Sequence, residues 1–387
     1  MNQVKVNRRG AERLRSGHPW VYSSDIADRG SAQPGDAVIA ADERGRHLGV
    51  AHYSSTSQIC LRLLSTHVEP IGPEFYRERI RAAAGYREQW VAGTNACRVI
   101  HSEADLLPGL IVDHYSGYLV VQLLDQGMDR ARDAILATLE ELFEPAGIVL
   151  RNDAAVRAKE DLPLHKEIVH GEAPGLVEIE MNGLRLHADL LEGQKTGIYL
   201  DQRENYVAAV RYAHGFALDV FTSTGGFALH LASKCERVEA VDSSESALRT
   251  ARRNAEANAL GNIDWREADA FDVLAGHASA RRSFSTVVLD PPAFAKSRSN
   301  LDAALRGYKE INFRALRLLE PGGVLVTCSC SFHVSEADLL KVVAQAALDA
   351  GRTLRVLERR TQAQDHPILL TVPETHYLKC LIFQVVG

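Results

Sequence analysis

The sequence predicts an α/β protein in which a doubly wound parallel sheet forms the carboxyl-terminal half and two smaller modules precede it. Three observations support this prediction. The chain has 387 residues, more than a single hydrophobic core usually serves. From about Leu190 onward, apolar segments without polar alternation recur between helical patterns, as in parallel sheets covered on both faces. Before that point, short strands and helices are grouped instead of alternating.

The first module, residues 1–72, is predicted to be small and rich in β-strands. A short helix near Arg9–Ser16 precedes three brief strands separated by glycine-containing turns. These predicted strands are DAVIAAD, HLGVAHY and QICLRLL. Pro70, Gly72 and Pro73 then indicate a linker.

The second module, residues 73–188, is predicted to be an α+β unit. Its predicted helices are FYRERIRAAAGYREQW and DRARDAILATLEELF, and its predicted strands lie in GLIVDHYSGYLVVQLL, GIVLRND and LVEIEMNGLRLHAD. The doubly wound domain is assigned to residues 189–387.

Composition narrows the class of protein. Hydrophobic residues make up 46% and charged residues 24% of the chain, which is typical of a soluble globular protein. We expect a cytoplasmic protein without a membrane partner, because no apolar run approaches the ~18–20 residues of a membrane helix and the amino terminus does not look like a secretory signal. The six cysteines form no CxxC pair, so neither a zinc site nor a thioredoxin-type motif is expected.

The formal charge of −6 argues against a uniformly basic nucleic-acid surface. Residues 1–20 nevertheless hold five basic residues against one acidic residue. Such a cluster can bind phosphates, or it can be the solvated face of a helix, and the sequence does not separate these interpretations.

Carboxylates and glycines follow the first strands of the doubly wound domain. The first strand ends in LDVFTSTGGF, with Asp219 at its tip and Gly225 and Gly226 entering a helix. Glycines at such a turn let the backbone approach a ligand closely, although a tight structural turn needs them equally. The next strand ends at Asp242, 23 residues later, close to the offset at which an acidic residue binds a ribose in dinucleotide folds.

Two further strands also end near an aspartate. Asp269 lies in READAF, and Asp290 lies in VVLDPPAF. The turn is TGG and not the GxGxxG that binds a pyrophosphate. The pattern therefore favours an adenosine ligand without a diphosphate over a dinucleotide.

Four motifs in this order, DVFTSTGGF, VEAVDSSESAL, LDPPAF and VLVTCSCS, resemble class I S-adenosylmethionine-dependent methyltransferases that act on nucleic acid. GQKTGIYLDQRENY, RGYKEIN and DHPILLTVPETHYLKC narrow the likeness to the ribosomal RNA large-subunit methyltransferase I family. The resemblance covers nearly the whole chain. It implies a PUA-like RNA-binding domain, a central α+β domain and a Rossmann-like methyltransferase domain. It also implies methyl transfer to C5 of a cytosine in 23S ribosomal RNA.

The resemblance also implies a cofactor site for S-adenosylmethionine. The implied cofactor-binding residues are Asp219, Thr224, Gly225, Gly226, Asp242, Asp269 and Asp290, with Lys195, Thr196, Tyr199, Asp201, Gln202 and Arg203 as a pocket wall. Within the pocket wall, the residues from Asp201 to Arg203 have a second interpretation, because they also suit the capped start of a helix.

The segment LVTCSCSF contains two cysteines at strand spacing. Cytosine C5 is a poor nucleophile, so methylation there requires a thiolate that first adds to C6. Cys330 lies further toward the carboxyl end of the strand than Cys328, where ligand crevices open, and in the family the cysteine of the matching triplet Ser329-Cys330-Ser331 is the nucleophile. We therefore predict that Cys330 and Asp290 are catalytic, with Asp290 facing the base edge, and that Cys328 and the other four cysteines pack.

Several alternatives stay open at this stage. The base that removes the C5 proton is a water molecule, Lys296, Tyr308 or another group. An amino-group methyltransferase of the N2-methylguanine type would share the DPP loop without needing a cysteine. A non-catalytic RNA-binding assembly factor is a third hypothesis. The oligomeric state, including a homodimer, is left open.

Overall fold

The computed structural model describes residues 1–193, 196–295 and 298–386, except for the side chain of Arg298. Two compact units result. The first consists of Met1–Glu180, Ala188–Ile198 and Gln364–Thr375, and the second of Met181–His187, Tyr199–Ala363 and His376–Gly387. The chain therefore returns to the first unit twice after it has left it. The three-part division at residues 72 and 188 stays a prediction.

A six-stranded sheet begins the first unit, and α1 lies against it. The order of its strands is β2-β6-β5-β4-β1-β3. The elements are β1 (Gln3–Val6), α1 (Arg8–Arg15), β2 (Trp20–Tyr22), β3 (Ile26–Asp28), β4 (Ala37–Asp42), β5 (His47–Tyr53) and β6 (Ile59–Ser65). The three strands and the helix predicted for this module are confirmed.

The arginines of α1 mostly have acidic partners. Arg8 contacts Glu12 at 2.7 Å, and Arg15 contacts Asp42 at 2.8 Å. The helix is amphipathic, with Gly10, Ala11 and Leu14 buried against the sheet. Much of the positive charge that the sequence places in residues 1–20 is thus balanced within the unit, which favours a solvated helix face over an open phosphate site.

The second sheet of this unit has the strand order β11-β10-β9-β8-β7. Its elements are α2 (Pro73–Trp90), β7 (Ala96–His101), β8 (Leu110–Tyr115), β9 (Tyr118–Leu123), α3 (Gln126–Arg130), α4 (Arg132–Phe143), β10 (Gly147–Asn152) and β11 (His165–Gly171). The helix predicted as one segment is two, divided at Ala131. The strands β7 and β11 were not predicted, because polar residues interrupt their apolar pattern.

A two-stranded hairpin follows, made of β12 (Leu176–Met181) and β13 (Leu184–Asp189). Its turn residues, Asn182 and Gly183, both have positive φ, at 53° and 80°. An Asn-Gly pair is the usual choice for a tight hairpin turn that needs this conformation twice.

The second unit contains a seven-stranded sheet of order β16-β15-β14-β17-β18-β20-β19. Its elements are α5 (Arg203–Tyr212), β14 (Phe216–Val220), α6 (Gly226–Leu231), β15 (Arg237–Asp242), α7 (Glu245–Ala257), β16 (Ile263–Glu267), α8 (Ala270–Ser279), β17 (Phe284–Leu289), α9 (Leu301–Leu318), β18 (Leu319–Ser329), α10 (Glu336–Asp349), β19 (Leu354–Arg360) and β20 (Lys379–Val385). The predicted α/β fold with a Rossmann-like domain is confirmed.

The strand order reverses between β14 and β17. From β14 the chain proceeds through β15 to β16 on one side and then crosses to β17 and β18 on the other. The pairs from β16 to β18 are parallel, whereas β20 is antiparallel to both of its neighbours. In open α/β sheets, ligands bind at such a reversal, outside the carboxyl ends of the strands. Among the described residues, no helix is both long and apolar enough to span a bilayer.

The first residue of α6, Gly226, is tightly packed against a buried tyrosine. A Cβ atom on Gly226 would lie 2.4 Å from the hydroxyl oxygen of Tyr206. That ring is buried between Phe227 and His230, with centroid distances of 4.8 and 4.9 Å. We expect Gly226→Ala to lower the free energy of unfolding by about 1–3 kcal/mol through overpacking, as measured by urea denaturation.

Gly276→Ala is the matched control. Gly276 lies on the exposed face of α8, and a Cβ atom added to it would meet no other atom of the described residues within 4 Å. That substitution should be neutral or stabilise the protein by up to ~1 kcal/mol, because alanine favours helix. Equal denaturation midpoints for Gly226→Ala and the wild type would show that Tyr206 can move aside.

Candidate active site

Asp219 lies at the end of β14 and is fully buried. Its Oδ2 atom accepts hydrogen bonds from the Thr222 hydroxyl at 2.5 Å and from the Ala228 amide at 2.9 Å. In the described part of the chain, its Oδ1 atom has no hydrogen-bond partner. Burial raises the pKa of this carboxyl to about 7, although the two hydrogen bonds oppose the shift. A buried oxygen without a donor at the reversal of the sheet is an acceptor suited to a polar ligand.

The turn between β14 and α6 is built from positive φ angles. Phe221, Ser223 and Gly225 have φ of 69°, 52° and 90°, and Gly225 precedes the first residue of α6. A Cβ on Gly225 would lie 2.9 Å from the Trp265 ring. The two predicted glycines are therefore needed for the turn and its packing, while the carbonyl of Thr224 accepts a hydrogen bond from Asn254 at 3.1 Å.

Asp242, at the end of β15, is half-buried and joins two loops. Its Oδ2 atom accepts a hydrogen bond from the Ser223 amide at 2.8 Å, and its Oδ1 atom accepts one from the Ser244 amide at 2.9 Å. Each carboxylate oxygen has a second lone pair, so these bonds orient Asp242 without exhausting its capacity to accept ribose hydroxyls.

Asp269 has a different setting from the other strand-end aspartates. It is exposed and caps α8, accepting hydrogen bonds from the amides of Phe271 and Asp272 at 2.8 and 3.2 Å. An N-cap aspartate explains its position without a ligand.

Asp290 follows β17, across the strand reversal from Asp219. Its Oδ2 atom accepts a hydrogen bond from Gln202 Nε2 at 3.0 Å, and Gln202 Oε1 accepts one from Asn205 at 2.7 Å. Gln202 occupies the N-cap position of α5 but makes no capping hydrogen bond with its side chain. This contact contradicts the idea that the Asp201–Arg203 segment serves only as a helix start.

Residues predicted for the cofactor site and residues predicted for catalysis both act on Tyr199. Burial raises the pKa of its hydroxyl well above the ordinary value, and nearby negative charges raise it further. The groups that act on it are Asp290, Asp201, Cys330 and Asp242. These four side chains therefore lie within electrostatic range of one tyrosine hydroxyl.

The two cysteines of β18 have different surroundings. Cys328 is fully buried, lies opposite Cys380 on β20, and has a pKa raised well above the ordinary value, first by burial and then by a hydrogen bond with Cys380. Cys330 lies one residue beyond the end of β18 and is partly exposed. Of the two residues, only the one nearer the carboxyl end of the strand thus has exposed surface.

The residues on either side of Cys330 are anchored by α9. The Ser329 hydroxyl donates to the Tyr308 hydroxyl at 2.9 Å, and the hydroxyls of Tyr308 and Ser331 are 3.1 Å apart. The amide of Ala295 also donates to the Ser331 hydroxyl at 3.2 Å. Tyr308 is fully buried, so the turn that carries Cys330 is fixed in position by a buried polar network.

Two residues of this site were not predicted as functional. Tyr377 donates its hydroxyl to Asp201 Oδ2 at 2.6 Å, and Lys379 donates to the carbonyl of Ser331 at 2.7 Å. Both lie in the segment DHPILLTVPETHYLKC, which the resemblance marked, but only the pairing of β20 with β18 shows that Lys379 is opposite Ser329.

The remaining residues of the predicted pocket wall are Lys195, Thr196 and Arg203. Lys195 lies outside the described residues, as does Lys296. Thr196 belongs to the first unit, where its hydroxyl lies 3.0 Å from that of Tyr115. Arg203 is buried and forms an ion pair with Glu204 at 3.3 Å.

Comparisons with known proteins assign the chain to a family. Residues 4–66 match the model of a PUA-like domain, and residues 98–384 match that of an S-adenosylmethionine-dependent methyltransferase. A protein of Shewanella denitrificans named ribosomal RNA large subunit methyltransferase I is 42% identical, over 97% of this chain and 98% of the relative. A protein of the same name from Tolumonas auensis is 40% identical, over 95% and 96% of the two chains.

Solved structures confirm the fold. SMU.776, described as a candidate methyltransferase and solved in complex with SAH, superposes with a TM-score of 0.87 at 19% identity, covering 100% of both chains. A candidate S-adenosylmethionine-dependent methyltransferase from Streptococcus mutans gives 0.85, also at 19% identity and 100% coverage of each chain. S-adenosylmethionine is the cofactor. The buried Oδ1 atom of Asp219, which has no donor among the described residues, is an acceptor that a polar group of such a ligand can fill. The chain belongs to the S-adenosylmethionine-dependent methyltransferases, in the family of ribosomal RNA large subunit methyltransferase I.

Proposed function

We propose that this enzyme methylates C5 of a cytosine in 23S ribosomal RNA through a covalent adduct between Cys330 and C6 of the base. The observation that carries the proposal is the position of Cys330, a partly exposed residue just beyond the end of β18 whose charge acts on the same tyrosine hydroxyl as the charges of Asp290 and Asp242. The names of the full-length relatives support a ribosomal RNA substrate.

Residues around the strand reversal would hold the cofactor. The Oδ1 atom of Asp219 would accept a hydrogen bond from it, and Asp242 would accept the ribose hydroxyls. The turn formed by Thr224, Gly225 and Gly226 would bring backbone close to the ligand. When bound, S-adenosylmethionine supplies an electrophilic methyl group. Asp269 contributes through the start of α8 and only indirectly.

Cys330 and Asp290 would perform the chemistry on the base. The thiolate adds to C6, which moves electron density onto C5. Asp290 lies on the loop facing the base edge, and Gln202 orients its carboxyl group, so it can offset the charge that builds on the ring. The buried network around Tyr308 holds the sulfur in place, so that little reorganisation is needed when the base arrives.

The first unit would supply RNA contacts. Residues 1–72 include the PUA-like match, and we assign them to RNA binding with residues 73–188 as a central α+β domain. Because the arginines of α1 are largely paired, we expect this contact to rest on shape and on a few phosphates. We expect the enzyme to act in the cytoplasm, where its RNA substrate is made.

Substitution of Cys330 tests the covalent route. Cys330→Ala should lower the rate of methyl transfer by roughly 10³-fold or more, because the direct reaction at C5 lacks an activated ring. Cys328→Ala is the matched control two residues away, and it should keep the transfer rate within a few-fold while lowering stability. The assay is transfer of labelled methyl groups to ribosomal RNA. Near-normal transfer by Cys330→Ala would favour the amino-group methyltransferase.

The modified nucleoside identifies the product directly. Ribosomal RNA from cells that lack this enzyme should be missing one 5-methylcytidine of 23S RNA, as measured by mass spectrometry of nucleosides. RNA containing 5-fluorocytosine should trap wild-type enzyme as a denaturation-resistant adduct. Fluorine takes the place of the C5 proton and cannot leave as a cation, so the Sγ–C6 bond does not break after methyl transfer. Loss of a methylated guanine instead would contradict the proposal.

Asp219 predicts a pH-dependent affinity for the cofactor. A ligand donor to its Oδ1 atom favours the ionised carboxyl group, whose pKa in the free protein is raised to about 7. The apparent affinity for S-adenosylhomocysteine should therefore rise as the pH increases through about 7, by up to ~10-fold per pH unit below that value. Calorimetry between about pH 6 and 8 measures this.

Asp219→Asn should bind weakly and lose the pH dependence, whereas Asp272→Asn, on the exposed face of α8, should behave like the wild type. A flat profile in the wild type would mean that the cofactor does not contact this carboxyl group.

A further inference from the structure

Lys379 is a buried amine whose hydrogen-bond acceptors, in the described part of the chain, are uncharged. It is 2% exposed and begins β20, opposite Ser329. Its Nζ atom donates to the carbonyl oxygens of Ser331 at 2.7 Å and Tyr377 at 2.8 Å. Among the described residues it forms no ion pair with a carboxylate. Burying an ammonium group without a counter-charge is costly, so its presence beside the candidate nucleophile needs an explanation.

We propose that the ammonium group of Lys379 is the positive charge that keeps Cys330 ionised as a thiolate. This inference rests on the proposed function, in which Cys330 attacks the base. An ammonium group has three N–H donors, and two of them go to the carbonyls of Ser331 and Tyr377. The third remains for the sulfur of the residue that precedes Ser331. Thiolates of catalytic cysteines are commonly stabilised by such a neighbouring cation.

The turn that carries Cys330 is held by hydrogen bonds on both sides. Lys379 is bonded to the backbone of Ser331, while the hydroxyls on both sides of Cys330 are anchored on Tyr308. The turn is therefore held from β20 on one side and from α9 on the other. A cation placed in this way acts on the thiolate without moving during the reaction.

The other titratable groups around this pair make the cation necessary. Tyr199 and Tyr308 face Cys330, and burial raises the pKa of both, so they are neutral near pH 7. Asp290 faces Tyr199 as Cys330 does, and its negative charge opposes a second anion nearby.

Acidic residues at the start of α10 also act on the lysine. Burial lowers the pKa of Lys379 to about 8, and the charges of Cys330, Asp338 and Glu336 oppose that shift. Near pH 7 the lysine is therefore mostly protonated. Formation of the thiolate strengthens its hold on the proton.

Lys379 keeps its proton throughout the reaction, so it is a positioning residue. The Sγ–C6 bond forms from the thiolate electron pair, and the C5–C6 π pair moves to C5. C5 then takes the methyl group of S-adenosylmethionine as the bond between the methyl carbon and the sulfonium sulfur breaks, which leaves S-adenosylhomocysteine. Removal of the C5 proton by a base then restores the C5–C6 double bond as the Sγ–C6 bond breaks. The sulfur leaves as a thiolate, again beside Lys379.

Alkylation of Cys330 by iodoacetamide tests this role without methyl transfer. The rate at Cys330, followed by peptide mass spectrometry as a function of pH, gives the pKa of its thiol. We expect Lys379→Met to move the inflection up by about one pH unit or more, which lowers the rate near pH 7 by ~10-fold. Lys341→Met, on the exposed face of α10, is the matched control and should leave the profile unchanged. An unchanged profile in Lys379→Met would overturn the inference.

A second variant covers the case in which Lys379→Met does not fold, as judged by its loss of S-adenosylhomocysteine binding. Lys379→Gln keeps two N–H donors for the carbonyls but removes the charge. An upward shift of the inflection in this variant supports the inference, and a wild-type inflection contradicts it.

The alkylation experiment and the methyl-transfer experiment can fail independently. If Cys330→Ala retains full methyl transfer, the covalent mechanism fails. The alkylation profile still decides whether Lys379 lowers the pKa of the thiol.

Discussion

The active site depends on the burial of one carboxyl group at the point where the strand order reverses. β14 lies inside the sheet between β15 and β17, and Asp219 near its carboxyl end is fully buried. Two donors, from Thr222 and Ala228, satisfy one of its oxygens. The second oxygen has no donor among the described residues, so it is an acceptor available to a polar group of a ligand.

The part of the candidate site that carries Cys330 is held in place by hydrogen bonds from a neighbouring helix. The chain leaves the sheet at Ser329, and a turn of this kind would ordinarily be mobile. Here the hydroxyl of Tyr308 contacts both serines next to Cys330. A buried tyrosine of one helix thus gives a loop residue the precision of a residue in a strand. From the sequence, Tyr308 is one candidate for the base that removes the C5 proton. Its hydrogen bonds to the two serines support a structural role.

Local patterns predicted the sheet and its strand-end carboxylates, because the apolar run of a buried strand and the aspartate that follows it are adjacent in sequence. The pairing of strands that lie far apart in the sequence could not be predicted from such local patterns. Lys379 lies 50 residues beyond Ser329 in the chain, and only the antiparallel pairing of β20 with β18 brings them together. For Gly226 the sequence could not separate a ligand role from a tight turn, and its close approach to Tyr206 shows that packing restricts it. Asp269 followed the strand-end pattern but caps a helix, since both roles place an aspartate at the same point of a βα unit.

Two buried groups of opposite sign belong to this candidate site, and neither forms an ion pair within the part of the chain that the structure describes. Asp219 holds a raised pKa and Lys379 a lowered one, in both cases because burial disfavours the charged form. The free enzyme is therefore less stable than a version with apolar residues in these positions would be. Cofactor binding would give Asp219 a hydrogen-bond donor, and ionisation of Cys330 would give Lys379 a negatively charged neighbour. Each event would therefore lower the electrostatic cost of burying the charged group. By linkage, a ligand that relieves such a cost in the folded state must stabilise that state. The site is thus arranged so that the energy of binding is directed to the charges that the reaction uses.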